Sequence, residues 1–100
     1  MAKKYTIKVT TIDVEFELLD GTVAKFKFKD LNTEQSKRAS KLADMDIEEQ
    51  ASFFREILEE NLIGDEETKE RVIDQLEEEG NLFQLTQQLM EDVGKQRKKR

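Results

Sequence analysis

The sequence predicts an α+β fold: one N-terminal antiparallel β-hairpin over about residues 5–29, then four short helices. Three observations carry this. Apolar residues alternate with charge at every second position from Ile12 to Leu18 and again from Ala24 to Phe28. After Lys29 they recur at helical spacing, and glycines with capping residues cut that region into four. Strand and helix are segregated along the chain, not interleaved.

In the hairpin, Ile12, Val14, Phe16 and Leu18 alternate with Asp13, Glu15 and Glu17. Beyond Leu19-Asp20-Gly21, Ala24, Phe26 and Phe28 alternate with Lys25, Lys27 and Lys29. A two-residue loop at Asp20-Gly21 would set Phe16 against Lys25, oil opposite charge. A three-residue loop, with a type I turn and Gly21 in the left-handed region as a G1 bulge, sets Phe16 against Ala24. Val14 then meets Phe26 and Ile12 meets Phe28, while Glu15 meets Lys25 and Asp13 meets Lys27 on the outer face. Such a ribbon is marginal alone, so the rest of the chain must cover its apolar side.

Upstream, Tyr5, Ile7 and Val9 alternate on the odd phase, whereas Ile12 onward uses the even one. Either a bulge near Thr10-Thr11 shifts one long strand, or the first segment leaves the hairpin's sheet. No turn residues lie between them, which favours the bulge.

The first helix is expected over about 33–44, capped by Asn32 or Thr33, with Ala39, Leu42 and Ala43 inward. Asp46 with Glu49 forms a capping-box signature for the second, about 47–63. Its stripe is Ile47, Ala51, Phe54, Leu58 and Leu62, widened by Phe53 and Ile57, and Gly64 closes it. Asp65 caps a third helix, about 66–79, with Val72, Ile73 and Leu76 as its large apolar residues; Gly80 ends it. Asn81 and Gln84 open the fourth, about 82–93, striped by Leu82, Leu85, Leu89 and Val93 and flanked by Phe83 and Met90. Gly94 ends that pattern. The expected organisation is a single α+β domain, 1–94, and a basic, disordered tail, 95–100. A β-grasp fold would need strands after Lys29, and none is read there.

Composition narrows the function classes. One hundred residues support one modest core. Without cysteine or histidine the chain has no thiolate ligand, no imidazole base and no imidazole metal ligand. No apolar run reaches the roughly 18 residues of a membrane helix, and no signal core follows Met1, so the expectation is a soluble, cytoplasmic protein. The net charge of −6 conceals an asymmetry. Asp44 to Glu79 carries 15 acidic and 3 basic residues, and the last six residues carry 5 positive charges.

The chemistry available is correspondingly plain. Ser36, Ser40 and Ser52 have no histidine partner and no nucleophile elbow, so no catalytic residues are assigned. Asp44, Asp46, Glu48 and Glu49 lack the sixth-position glycine of a calcium loop and read as caps; no metal or cofactor site is assigned. The widened stripes are the better clue. Phe53, Ile57, Phe83 and Met90 either seal the core or line a groove for a partner helix, and they are the candidate partner-binding residues.

The layout resembles the tail assembly chaperones of long-tailed bacteriophages and prophages. The resemblance is carried by the turn Phe16-Glu-Leu-Leu-Asp-Gly21 and the strand-to-helix junction Phe26-Lys-Phe-Lys-Asp-Leu-Asn-Thr-Glu-Gln35. The acidic helices from Asp46 and the closing Leu82-Phe-Gln-Leu-Thr-Gln-Gln-Leu89 complete it. It implies a non-enzymatic protein in the bacterial host cytoplasm that coats the helix-rich tape measure protein, helps recruit tail tube subunits, and in several members forms homo-oligomers. It also implies, for many members, a longer frameshifted form, with which the lysine-rich ending is compatible. Two other readings stand beside it: an acidic regulator or inhibitor mimicking nucleic acid through Glu67, Glu70, Asp74 and Glu78, and a structural subunit that self-associates by its hairpin edge or helix faces.

Overall fold

Two seven-residue strands, β1 (Thr11–Glu17) and β2 (Val23–Lys29), form the hairpin in the computed structural model, which describes residues 2–98. The register is the one the charge pattern requires: Phe16 faces Ala24, Val14 faces Phe26, Ile12 faces Phe28, Glu15 faces Lys25 and Asp13 faces Lys27. At the turn, Gly21 N–H donates to Leu18 O at 2.9 Å and Leu18 N–H to Thr22 O at 2.8 Å. Gly21 has φ +87°, the left-handed conformation a G1 bulge demands.

The hairpin is shorter than residues 5–29. Asp30 N–H donates to Thr10 O at 2.9 Å as the last rung, and Tyr5, Ile7 and Val9 are 82%, 94% and 62% exposed. The expected bulge at Thr10-Thr11 does not form one long strand; the first segment leaves the sheet. The reason is topological. Lys29 ends β2 and Asn32 already caps a helix, so no strand remains opposite residues 2–9.

Helix α1 (Thr33–Ala39) starts with a full capping box between Asn32 and Gln35. It stops short of residue 44. The Ser40 hydroxyl donates to Lys37 O at 2.6 Å, and the Gln50 side chain draws off Leu42 O and Met45 O, leaving only a 3-10 turn at Leu42–Asp44. Ala39 and Leu42 are half-buried as expected, but Ala43 is exposed.

Helix α2 (Ile47–Asn61) forms the forward half of its expected box, with Asp46 Oδ1 accepting from Glu49 N–H at 2.8 Å. Ile47 stands in the exposed first turn, off the stripe assigned to it. The helix ends at Asn61, and Leu62–Ile63 become a third strand, β3, antiparallel to Lys27–Phe28. Two residues are too few to show a period, so the pattern could not reveal this strand. Gly64 is needed by contact: a Cβ there would enter the Phe26 ring.

Helix α3 (Glu66–Glu78) is capped by Asp65 and closes in a Schellman arrangement. Gly80 takes φ +73°, Asn81 N–H donates to Leu76 O at 2.8 Å and Gly80 N–H to Glu77 O at 3.3 Å. Helix α4 (Leu82–Lys98) runs through Gly94 rather than ending at residue 93. Val93 is fully buried, and Lys95, Arg97 and Lys98 sit in the last turn, where cations complement the helix dipole. Arg97 reaches Asp30 at 3.1 Å. Residues 95–98 of the expected disordered tail are thus helical; Lys99 and Arg100 lie outside the described residues.

The core lies on the inner face of the sheet: Phe16, Ala24, Phe26 and Phe28 meet Phe53, Phe54, Ile57 and Leu58 of α2, Val72 and Ile73 of α3, and Leu82, Leu89 and Val93 of α4. A buried amide pair ties the elements at one end. Asn61 donates to Lys29 O at 2.8 Å, and Gln35 donates to Asn61 Oδ1 at 2.7 Å, joining α1, α2 and β2. Among the described residues, Thr86 Oγ1 is the buried side-chain oxygen without a hydrogen-bond partner.

Two stability outcomes follow from these contacts. Gly64→Ala should destabilise by about 1–3 kcal/mol, because the Phe26 ring must move to admit the methyl. Thr86→Val, which removes the unpaired hydroxyl and keeps the shape, should raise the thermal midpoint by roughly 4–8 °C. Calorimetry checks both; a neutral Gly64→Ala or a destabilised Thr86→Val contradicts this packing.

Candidate functional site: an apolar cleft at the hairpin tip

Of the four sequence-derived partner residues, Phe53 and Ile57 are closed off from any groove. Phe53 and Ile57 are each 1% exposed and belong to the core. Helix α2 packs against β2, β3, α3 and α4 at once, which uses its whole apolar arc. Over Phe53 lies the Arg38 guanidinium of α1, 5.0 Å from the ring centre and held by Glu56 at 2.7 Å. That hydrogen bond keeps the Glu56 carboxyl below its ordinary range and raises Arg38. Phe83 and Met90 are half-buried against the core, the Phe83 ring 5.3 Å from that of Phe54. The partner-binding assignment of Phe53 and Ile57 is therefore corrected: both are structural.

A concave apolar surface lies elsewhere. Between the hairpin tip, α3 and α4 opens a cleft of about 400 Å³, with Phe16, Leu18, Val72, Leu76 and Leu85 as its apolar lining. Leu18 and Leu19 are adjacent at the end of the strand, so the pleat lets only one face inward. Leu18 is buried, whereas Leu19 is 73% exposed at the cleft mouth. That doublet is the signal the sequence offers for the site; Leu76 counts only among the large apolar residues of the third helix and Leu85 only in the stripe of the fourth.

The mouth is held in place by polar ties. Leu19 N–H donates to Gln75 Oε1 at 3.1 Å, and Arg71 pairs with Asp20 at 3.0 Å. The Asp20 carboxyl accepts from Thr22 N–H at 2.9 Å, and this bond, then Arg71, lowers its pKa. Uncharged amides of Gln75, Asn81, Gln84 and Gln88 form much of the rim, and Glu15, Glu17 and Glu79 add negative charge.

The acidic surface is partly neutralised from within. Arg55 binds Glu59 and Asp74, each at 3.1 Å, Glu70 at 3.3 Å, and also Glu77. Burial opposes its charge, but the bonds to Asp74 and Glu77 prevail and hold the guanidinium above its ordinary pKa. Lys69, itself buried, donates to Glu59 O at 2.9 Å and so caps the C-terminal end of α2, which has no basic residue of its own in that turn. Glu70 and Asp74, two of the four carboxylates expected to imitate phosphates, are thus committed to Arg55.

Among the described residues no cluster of acidic side chains is arranged to hold a metal ion, and no helix is long and apolar enough to cross a membrane. No protein-family model, curated protein or solved structure matches the chain.

The electrostatics predict an acid-sensitive fold. Asp65, whose carboxylate accepts from the Thr68 hydroxyl and N–H, has a lowered pKa, as do Asp20 and Glu56. A lowered folded-state pKa gives stability that is present above the unfolded value and lost as pH falls through the folded one. Urea unfolding should therefore show stability declining below about pH 4. Asp65→Asn keeps the cap but not the titration, so its decline should be shallower; an identical decline contradicts the assignment.

Proposed function

We propose that this chain is a non-enzymatic binding protein of the tail-assembly-chaperone kind, acting in a bacterial host cytoplasm during phage or prophage tail morphogenesis. Its client would be an apolar helical segment of the tape measure protein, with tail tube subunits as later partners. The observation that carries the reading is the cleft at the hairpin tip, with its apolar lining, exposed Leu19 and amide rim. A helix presenting apolar anchors at i and i+4 could seat them against Leu19, Leu76 and Leu85. Rim amides would satisfy polar groups beside those anchors, and the negative rim favours lysine or arginine flanking them.

High charge elsewhere suits such work. The chain carries 40% charged residues, which would keep a coated, otherwise sticky client dispersed. The order of hairpin and helices, and the turn and junction segments that resemble the chaperone family, support the same reading.

Titration calorimetry with amphipathic helical segments of a tape measure protein tests it. Binding is expected to persist in high salt and to weaken at least tenfold in Leu19→Asp, about 1.4 kcal/mol. The thermal midpoint should stay unchanged, because Leu19 is not in the core. Wild-type affinity in Leu19→Asp would overturn the cleft as the client site.

A further inference from the structure

We propose that residues 2–9 are a strand-exchange arm that pairs with the open edge of β1 in a second copy of this chain. The arm has a strand's composition without a sheet. Tyr5, Ile7 and Val9 alternate with Lys4, Thr6 and Lys8, yet all three apolar side chains lie in solvent. With a radius of gyration of 15.0 Å, the chain is more extended than the about 13 Å of a compact 100-residue domain.

An edge of matching chemistry is present. The sheet order is β1-β2-β3, so β1 is paired on one side only. Its ladder bonds to β2 involve even-numbered positions, as at Thr10–Asp30 and Leu18–Thr22. The alternation of an antiparallel ladder therefore aims the N–H and C=O groups of Thr11, Asp13, Glu15 and Glu17 at the open edge. Ile12 and Val14, on the core face of that edge, are only half-buried. Asp13, Glu15 and Glu17 line its outer face with negative charge.

One antiparallel register satisfies every position. Placing Ile7 opposite Val14 of the second copy also sets Val9 opposite Ile12 and Tyr5 opposite Phe16. Lys8 then meets Asp13 and Lys4 meets Glu17, so basic arm and acidic edge are complementary. The same register describes both arms at once, because the two-fold axis falls between Thr10 and Thr11. It requires a half-turn of the backbone at that point, which moves the arm's apolar side chains to the core face and its amides toward the neighbour. The alternation changes phase at that very place, from odd before Thr10 to even after Thr11. A single chain gains nothing from this slip, whereas a symmetric exchanged pair needs it. The arm's Lys4 and Tyr5 would reach Glu17 and Phe16 at the neighbour's cleft rim.

Size-exclusion chromatography with light scattering on the full chain tests the proposal independently of any client. The wild type should elute as a dimer, twice 11.7 kDa. Lys4→Glu with Lys8→Glu makes arm and edge both acidic; Asp13→Lys with Glu17→Lys makes both basic. Each double variant should be monomeric with a wild-type circular dichroism spectrum, and an equimolar mixture should recover the dimer, because each arm then meets an oppositely charged edge. The proposal is overturned by a wild type that stays monomeric at millimolar concentration, leaving the arm for some other protein's edge. It is equally overturned by double variants that dimerise alone or by a mixture that remains monomeric.

Discussion

A β-ribbon with one apolar side cannot stand in water, and the remainder of this chain is arranged around that constraint. Phe16, Ala24, Phe26 and Phe28 project from one face of the hairpin, and α2, α3 and α4 together remove them from solvent. Each buried phenylalanine is worth roughly 1.5–3 kcal/mol, so the face supplies a large part of a marginal fold's stability. Details of the connections serve that packing. The Phe26 ring approaches Gly64 too closely for any side chain there, and β3 brings Leu62 directly opposite Phe28. The turn from α2 into the sheet is possible because the Asn61–Gln35 pair satisfies carbonyls at the end of β2.

Charge is managed with few cations. The segment from Asp44 to Glu79 has 3 basic residues, Arg55, Lys69 and Arg71, and each makes an ion pair. Arg55 fastens α3 to α2, Lys69 caps α2 from α3, and Arg71 fastens the hairpin turn to α3. Of these contacts the Arg71–Asp20 pair joins two walls of the cleft, hairpin tip and α3, while Arg55 and Lys69 set α3 against α2 behind it. Surface pairs of this kind individually add little stability, and their value here is in fixing orientation.

The sequence revealed local structure more fully than it revealed surfaces. The hairpin register was legible pair by pair, because apolar alternation, cross-strand charge and Gly21 all constrain the same quantity. Helix starts were legible at Asn32, Asp46 and Asp65, where a side-chain acceptor stands beside orphan N–H groups. Endings were less so. Ser40 and Gln50 redirect carbonyls at the end of α1, and Gly94, without a left-handed turn, does not stop α4. The candidate site was misread for a related reason. Periodicity shows that Phe53 and Ile57 belong to an apolar arc, but not how many neighbours close upon it. Only the Leu18-Leu19 doublet marked a residue that the pleat must expel.

Ribbon and helices should open as one cooperative unit. Native-state hydrogen exchange resolved by residue measures this directly. The β2 amides of Phe26 and Phe28 should exchange with the same opening free energy as those of Leu58 in α2 and Val93 in α4, equal to the global unfolding value. Free exchange of the β2 amides while α2 and α4 stay protected would show helices that are stable without the ribbon, and would contradict the account.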